Sequence, residues 1–213
     1  MPNYSLYNNF VYTKQLDLDL SQQQKNAHDI YNYLTNEYSN NSSTYYGKST
    51  SLFTKYYAYY NYLMMPCLGM TKLFNNIRDT FIDCNNHAYN NNPPDTDYYI
   101  QCWLNYYNKG EFIDWHSHLT KEARSWHGFY CVDVEPNSST YYRHGIDKFE
   151  IKSKNNLLVI GKSCDDEHRS SEWTEERPRI TVAFDIVPWQ NTTGFPGKIK
   201  NETGNLHYWI PLI

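Results

Sequence analysis

The 213-residue chain has no apolar run approaching the roughly 20 positions of a membrane-spanning helix, so no membrane segment is expected. Its five cysteines, Cys67, Cys84, Cys102, Cys131 and Cys164, are odd in number and show no C-x-x-C spacing. Reduced thiols in a cytoplasmic protein fit that usage better than a disulfide framework does. The opening MPNYSLYNNF has no basic start followed by an apolar stretch, and no signal peptide is expected from it. Positive charge is scarce as well. A formal net charge of -4 with no Lys/Arg stripe gives no strong nucleic-acid signal, because such binding needs a basic footprint. Two enzyme signatures are also missing. GKST at 47–50 has Ser42 where a phosphate loop needs its first glycine, and no G-x-S-x-G offers a hydrolase nucleophile.

Aromatics are abundant, at 17% with 22 Tyr, beside 40% hydrophobic and 20% charged residues. That is a globular composition, and the length suits a single domain over 1–213. Residues 1–95 read as helix-rich. SQQQKNAHDIYNYLTNEY offers Ser21 as a cap and Ile30, Tyr33 and Leu34 at helical spacing. LFTKYYAYYNYLMM is a second helix candidate, ending before Pro66. GMTKLFNNIRDTFIDCNNHA is stronger, with Leu73, Phe74, Ile77, Phe81 and Ile82 on one face. YNNNPPDTD then breaks the chain.

From residue 98 the period changes. YYIQCWLNYY, EFIDWHSH, HGFYCVDVE, STYYRHG, FEIKS, NLLVIGKS and RITVAFDIVPW are short, rich in β-branched and aromatic residues, and separated by turn-forming loops. They predict an antiparallel sandwich or barrel. With helices first and strands after, the expected class is α+β: a β core over 98–188 with the N-terminal helices packed on one outer face. The tail from 190 reads as irregular, with a short strand at its end.

EFIDWHSHLT at 111–120 sets two histidines one residue apart. In a strand, side chains two apart share a face, so Asp114, His116 and His118 would point together. A third donor, His168, follows the apolar strand NLLVIG. A pair of ligands at H-x-X with a distant histidine on a β scaffold is the facial arrangement of non-haem iron sites. Shortly after it, Arg179 opens RITVAFDI, and Thr181 falls on the same face. A guanidinium beside a hydroxyl suits a carboxylate.

Taken in order, His116-x-His118, His168 and Arg179-x-Thr181 resemble the core pattern of the 2-oxoglutarate- and Fe(II)-dependent oxygenases. The segment NYYNKGEFIDWHSH is also similar to the AlkB-type pattern N-x-Y-x-x-G-x-x-x-x-x-H-x-D, through Asn105, Tyr107, Gly110, His116 and His118. SWHGFYCVDVEP looks like the matching strand of prolyl-hydroxylase-like and phage-borne oxygenases. The resemblance implies a double-stranded β-helix (jelly-roll, cupin-like) core. It implies Fe(II) on His116, His118 and His168. It implies 2-oxoglutarate as cosubstrate on Arg179, Thr181, Tyr107 and Asn105, with O2 as oxidant. The activity implied is a dioxygenase, hydroxylase or demethylase, coupling 2-oxoglutarate decarboxylation to C–H oxidation. Its substrate class stays open among a protein side chain, an amino acid, a nucleobase and a metabolite.

The chain departs from the pattern twice. His118 stands where the family has a carboxylate, and Asp185 stands where AlkB-type members have a second arginine. The first departure leaves three readings: an iron on three imidazoles, a pair of Asp114 and His116 with His118 behind it, or an altered site without catalysis. Two other function classes also remain, a non-catalytic jelly-roll protein that binds a metal or ligand, and a three-histidine dioxygenase that uses no 2-oxoglutarate. Elsewhere the expectations are plain. His127 points outward, Trp115 and Trp126 pack, Arg143 is solvated, and SCDDEHRSSEWTEER is a solvated acidic loop around His168.

Overall fold

The structure, a computed structural model, describes residues 5–7, 10–38, 49–51, 56, 60–118, 124–164, 166–189 and 208–213. In chain order these form β1 (Ser5–Tyr7), β2 (Val11–Gln15), α1 (Leu20–Tyr38), α2 (Met70–Ala88), β3 (Tyr98–Tyr107), β4 (Trp126–Asp133), β5 (Ser139–His144), β6 (Asp147–Lys152), β7 (Leu157–Lys162), β8 (Glu167–Ser170), β9 (Arg179–Pro188) and β10 (Ile210–Pro211). Among the described residues no helix is long and apolar enough to cross a membrane. All five cysteines are free thiols.

Helix α1 is capped by Asp19, not by the predicted Ser21. The Asp19 carboxylate accepts the Gln22 N–H at 3.1 Å, satisfying a donor that the helix itself cannot pair. Ser21 merely donates its hydroxyl to Asp19. Ala27, Ile30 and Leu34 form the buried face, while Tyr33 is 52% exposed. In α2, Leu73, Ile77 and Phe81 are fully buried and Phe74 and Ile82 flank them, close to the expected stripe. Of the remaining helix candidate, 52–55 and 57–59 lie outside the described residues, and Tyr62–Met64 makes one 3-10 turn.

The strands build two antiparallel sheets. The large one runs β1-β2-β7-β4-β9-β3-β10 and the small one β6-β5-β8. Alternation along each strand separates the two sides of the large sheet. Ile100, Cys102 and Leu104 of β3, Trp126 and Tyr130 of β4, and Ile180, Val182, Phe184 and Ile186 of β9 join α1 and α2 in the main core. Each large apolar side chain fully removed from water there contributes about 1.5–3 kcal/mol. The other face of the same strands looks at the small sheet, where Phe129, Cys131 and Ala183 meet Tyr142 and Ile151 in a second cluster. Gly128 keeps β4 close to its neighbours. A Cβ there would lie 2.3 Å from the Val159 carbonyl oxygen and 2.5 Å from the Phe184 ring. This is an α+β double-stranded β-helix with helices on one face.

Three expectations need correction. The helix-rich N-terminal part also supplies two strands, and β2 pairs with β7, extending the large sheet beyond 98–188. EFIDWHSH forms no continuous strand. It runs beside β8 through an isolated bridge between His116 and His168, while Ile113 bridges Ser49. The acidic stretch around His168 is not a solvated loop throughout, because Glu167–Ser170 is strand β8, paired with β5.

Candidate metal centre

A cavity of about 340 Å³ opens between the two sheets. One wall is the inward face of β3 and β9. Asn105 and Tyr107 stand directly across from Thr181 and Arg179 in the β3–β9 register. All four line the cavity, and all four are buried. The opposite wall is β8 with the segment leading to His118. Gly110, at φ +84°, turns the chain after β3 into this segment, a backbone state in which a side chain is disfavoured. His116 and His168 then exchange backbone hydrogen bonds: the His116 N–H donates at 3.1 Å, and the His168 N–H donates back at 2.9 Å. The Ser170 hydroxyl accepts the Ile113 N–H at 3.0 Å.

This wiring gathers three imidazoles. One nitrogen from each of His116, His118 and His168 lies within 4.8 Å of the others, a grouping able to hold a metal ion. Each ring turns Nδ1 toward an oxygen. His116 Nδ1–H donates to the Asp114 carbonyl at 2.8 Å. His118 Nδ1 lies 2.6 Å from Asp185 Oδ1, and His168 Nδ1 lies 3.8 Å from Asp166 Oδ2. An outer oxygen on one ring nitrogen, leaving Nε2 for an ion, is the usual support of a metal-bound histidine, and His116 and His118 have one within hydrogen-bonding distance, whereas the His168 contact is too long for a hydrogen bond. Asp114 does not join the cluster. It is exposed, and its carboxylate accepts the Trp115 N–H at 2.7 Å.

A fourth imidazole was misread from sequence. His127 is 1% exposed and points inward, its ring 4.7 Å from that of His118 and 4.6 Å from that of His168. Its Nε2 lies 3.5 Å from Asp166 Oδ2. Gly161 across the sheet makes room, since a Cβ there would come 2.8 Å from that nitrogen. The signal was available in the period. Trp126 and Tyr130 face the main core, so His127 and Phe129 must face the cavity. Asp185 was legible in the same way, two and four residues beyond Ala183 and Thr181. Trp126 packs in the core as expected. Trp115 instead lies under the Arg143 guanidinium at 4.4 Å, and Arg143 is ion-paired with Glu167 at 2.6 Å.

Electrostatics divide the four imidazoles. Burial pushes the His116 pKa down to about 4, helped by neighbouring His118. Burial likewise holds His127 and His168 well below the ordinary histidine value. His118 differs. Burial pulls it down, but the Asp185 carboxylate outweighs this and raises it. At the other end of the cavity, burial lowers the Arg179 pKa. The guanidinium packs 5.6 Å from the Tyr107 ring centre, and its Nε has no hydrogen-bond partner. No carboxylate among the described residues forms an ion pair with it. A buried cation without a counter-ion is costly, so this end of the cavity suits an incoming anion.

The fold resembles that of several solved structures. A Pseudomonas putida prolyl-4-hydroxylase aligns with TM-score 0.56 and 8% identity, over 84% of this chain and 87% of that one. The non-heme alpha ketoglutarate dependent epimerase SnoN from nogalamycin biosynthesis aligns with TM-score 0.54 and 8% identity, over 95% and 93%. The apo form of the non-heme monooxygenase ThoJ aligns with TM-score 0.50 and 10% identity, over 87% and 74%. The chain therefore has the double-stranded β-helix fold of the 2-oxoglutarate/Fe(II) oxygenases. No family model matches the sequence, and no curated protein does.

Proposed function

We propose that the protein is an Fe(II)- and 2-oxoglutarate-dependent dioxygenase, acting as a hydroxylase or demethylase. The observation behind this reading is a pairing within one cavity: three converging imidazoles, and a buried guanidinium without a counter-ion among the described residues. The residues present fit the implied metal, because nitrogen donors suit iron. When bound, Fe(II) with 2-oxoglutarate supplies the O2 activation and oxidising power for C–H oxidation, with succinate and CO2 as co-products.

The chain's own residues do the rest. His116, His118 and His168 present their Nε2 lone pairs. His118 faces Asp185 through Nδ1, which leaves its Nε2 as the donor atom. Arg179 binds the distal carboxylate of 2-oxoglutarate through its fork of N–H donors, with the Thr181 hydroxyl beside it. Tyr107 packs against the guanidinium and Asn105 stands next to Thr181, narrowing the site around the cosubstrate. Trp103, Ile113 and Phe129 give the cavity apolar walls that exclude water. A cytoplasmic, reducing setting suits both the free thiols and ferrous iron.

The test is turnover. Protein loaded with Fe(II) should convert 2-oxoglutarate to succinate in air, and should stop when a chelator removes the metal. Absence of succinate from fully metal-loaded protein would leave a jelly-roll that binds without catalysing.

A further inference from the structure

The two departures from the oxygenase pattern touch each other. His118 replaces a carboxylate, Asp185 replaces an arginine, and their Nδ1 and Oδ1 atoms lie 2.6 Å apart. They come from separate elements. His118 ends the segment after β3, whereas Asp185 sits on β9, on the inward face shared with Arg179, Thr181 and Ala183. Asp185 Oδ1 has no linear hydrogen-bond donor, so the pair is an ion contact with bent geometry. The contact is sheltered, with the two side chains only 17% and 29% exposed.

A carboxylate pointed into a half-buried cavity is costly unless charge lies nearby. The neighbours that β9 gives Asp185 are neutral: Gln101 across β3, and His127 across β4. Among the described residues, the contact that compensates it is His118.

We propose that Asp185 supplies the negative charge missing from the ligand set, acting on the metal through the His118 imidazole as a positioning residue. This rests on reading His118 as a ligand. Three neutral imidazoles leave a divalent ion less neutralised than two imidazoles and a carboxylate would. A carboxylate behind a ligating ring fixes its tautomer and strengthens its donor nitrogen. In a cavity shielded from water its charge also acts on the ion over a few ångströms more. Against the pattern this chain resembles, the negative charge stands one residue further from the metal, at position 185 instead of position 118.

Co(II) is the probe, added to wild-type protein, Asp185→Asn, Asp185→Glu and His118→Ala. Affinity is read by competition with a coloured chelator. The exchangeable imidazole N–H signals are read by paramagnetic proton NMR, and thermal melts of the metal-free proteins report folding. Asp185→Asn keeps the shape and removes the charge. It should weaken Co(II) binding by roughly 10–100-fold. The one N–H signal that His118→Ala abolishes should shift or exchange faster, with the other two unmoved. Asp185→Glu, which restores the charge, should recover part of the affinity and carries the test if Asp185→Asn melts early. Wild-type binding with an indifferent Asp185→Asn, in both affinity and N–H signals, overturns this inference alone. Wild-type protein that binds no Co(II) overturns it together with the metal reading beneath it.

Discussion

At the scale of single residues, Arg179 is the most exposed to test. Its guanidinium is buried in the cavity wall with an unpartnered Nε. A charge-assisted pair with a carboxylate is worth about 1.5–3 kcal/mol. Arg179→Ala should therefore weaken 2-oxoglutarate binding roughly 10–100-fold while metal binding persists, read by titrating the cosubstrate into metal-loaded protein. Unchanged affinity would mean that the carboxylate binds elsewhere. The imidazoles make a separate prediction for the metal-free protein. His116, His127 and His168 have folded pKa values below the ordinary 6.5. Below pH 6.5 the unfolded chain takes up protons that the folded chain refuses, so stability falls as pH drops from 6.5 toward about 4. His118 has the opposite sign. Its raised folded pKa gives stability that is complete below 6.5 and fades as pH rises through the folded value. The His118 contribution is already complete in that window, so the other three set the slope, and thermal melts between pH 6.5 and 4 should show a falling midpoint. A flat profile would contradict the neutral buried cluster.

At the scale of elements, strands with one purely apolar face were legible and strands without one were not. YYIQCWLNYY matches β3 end to end, and RITVAFDIVPW contains β9, because alternate residues of both enter the helix-covered core. β8 was hidden. Its inward residues are His168 and Ser170, its outward ones Glu167 and Arg169, so a polar cavity erases the usual alternation of apolar and polar. The segment 111–118 failed in the other direction, strand-like in composition yet with two isolated bridges in place of a continuous ladder. Gly128 shows how closely the visible strands are packed. Gly128→Ala would drive a methyl group into the Val159 carbonyl and the Phe184 ring. We expect a destabilisation of at least about 1–3 kcal/mol, checked by denaturant unfolding. A neutral result would show that β4 and β7 can separate without cost.

At the scale of the whole molecule, the division into early helices and later strands was readable from the change of period at residue 98. The joining of β2 to β7 was not, because a five-residue strand carries little periodicity and its partner lies far along the chain. The ordered residues His116, His118, His168, Arg179 and Thr181, with Asn105 and Tyr107, were each named from sequence, and the fold brings all of them to one cavity. The residues behind them, Asp166, Asp185 and His127, were not recognised, since their meaning depends on which strands become neighbours. The folded arrangement leads to one decisive comparison. Protein prepared without oxygen and given Fe(II) and 2-oxoglutarate should develop a weak charge-transfer band in the visible region. The band should survive Asp114→Ala and vanish in His118→Ala. A band lost in Asp114→Ala but kept in His118→Ala, or no band in any of the three proteins, would contradict a three-histidine iron site.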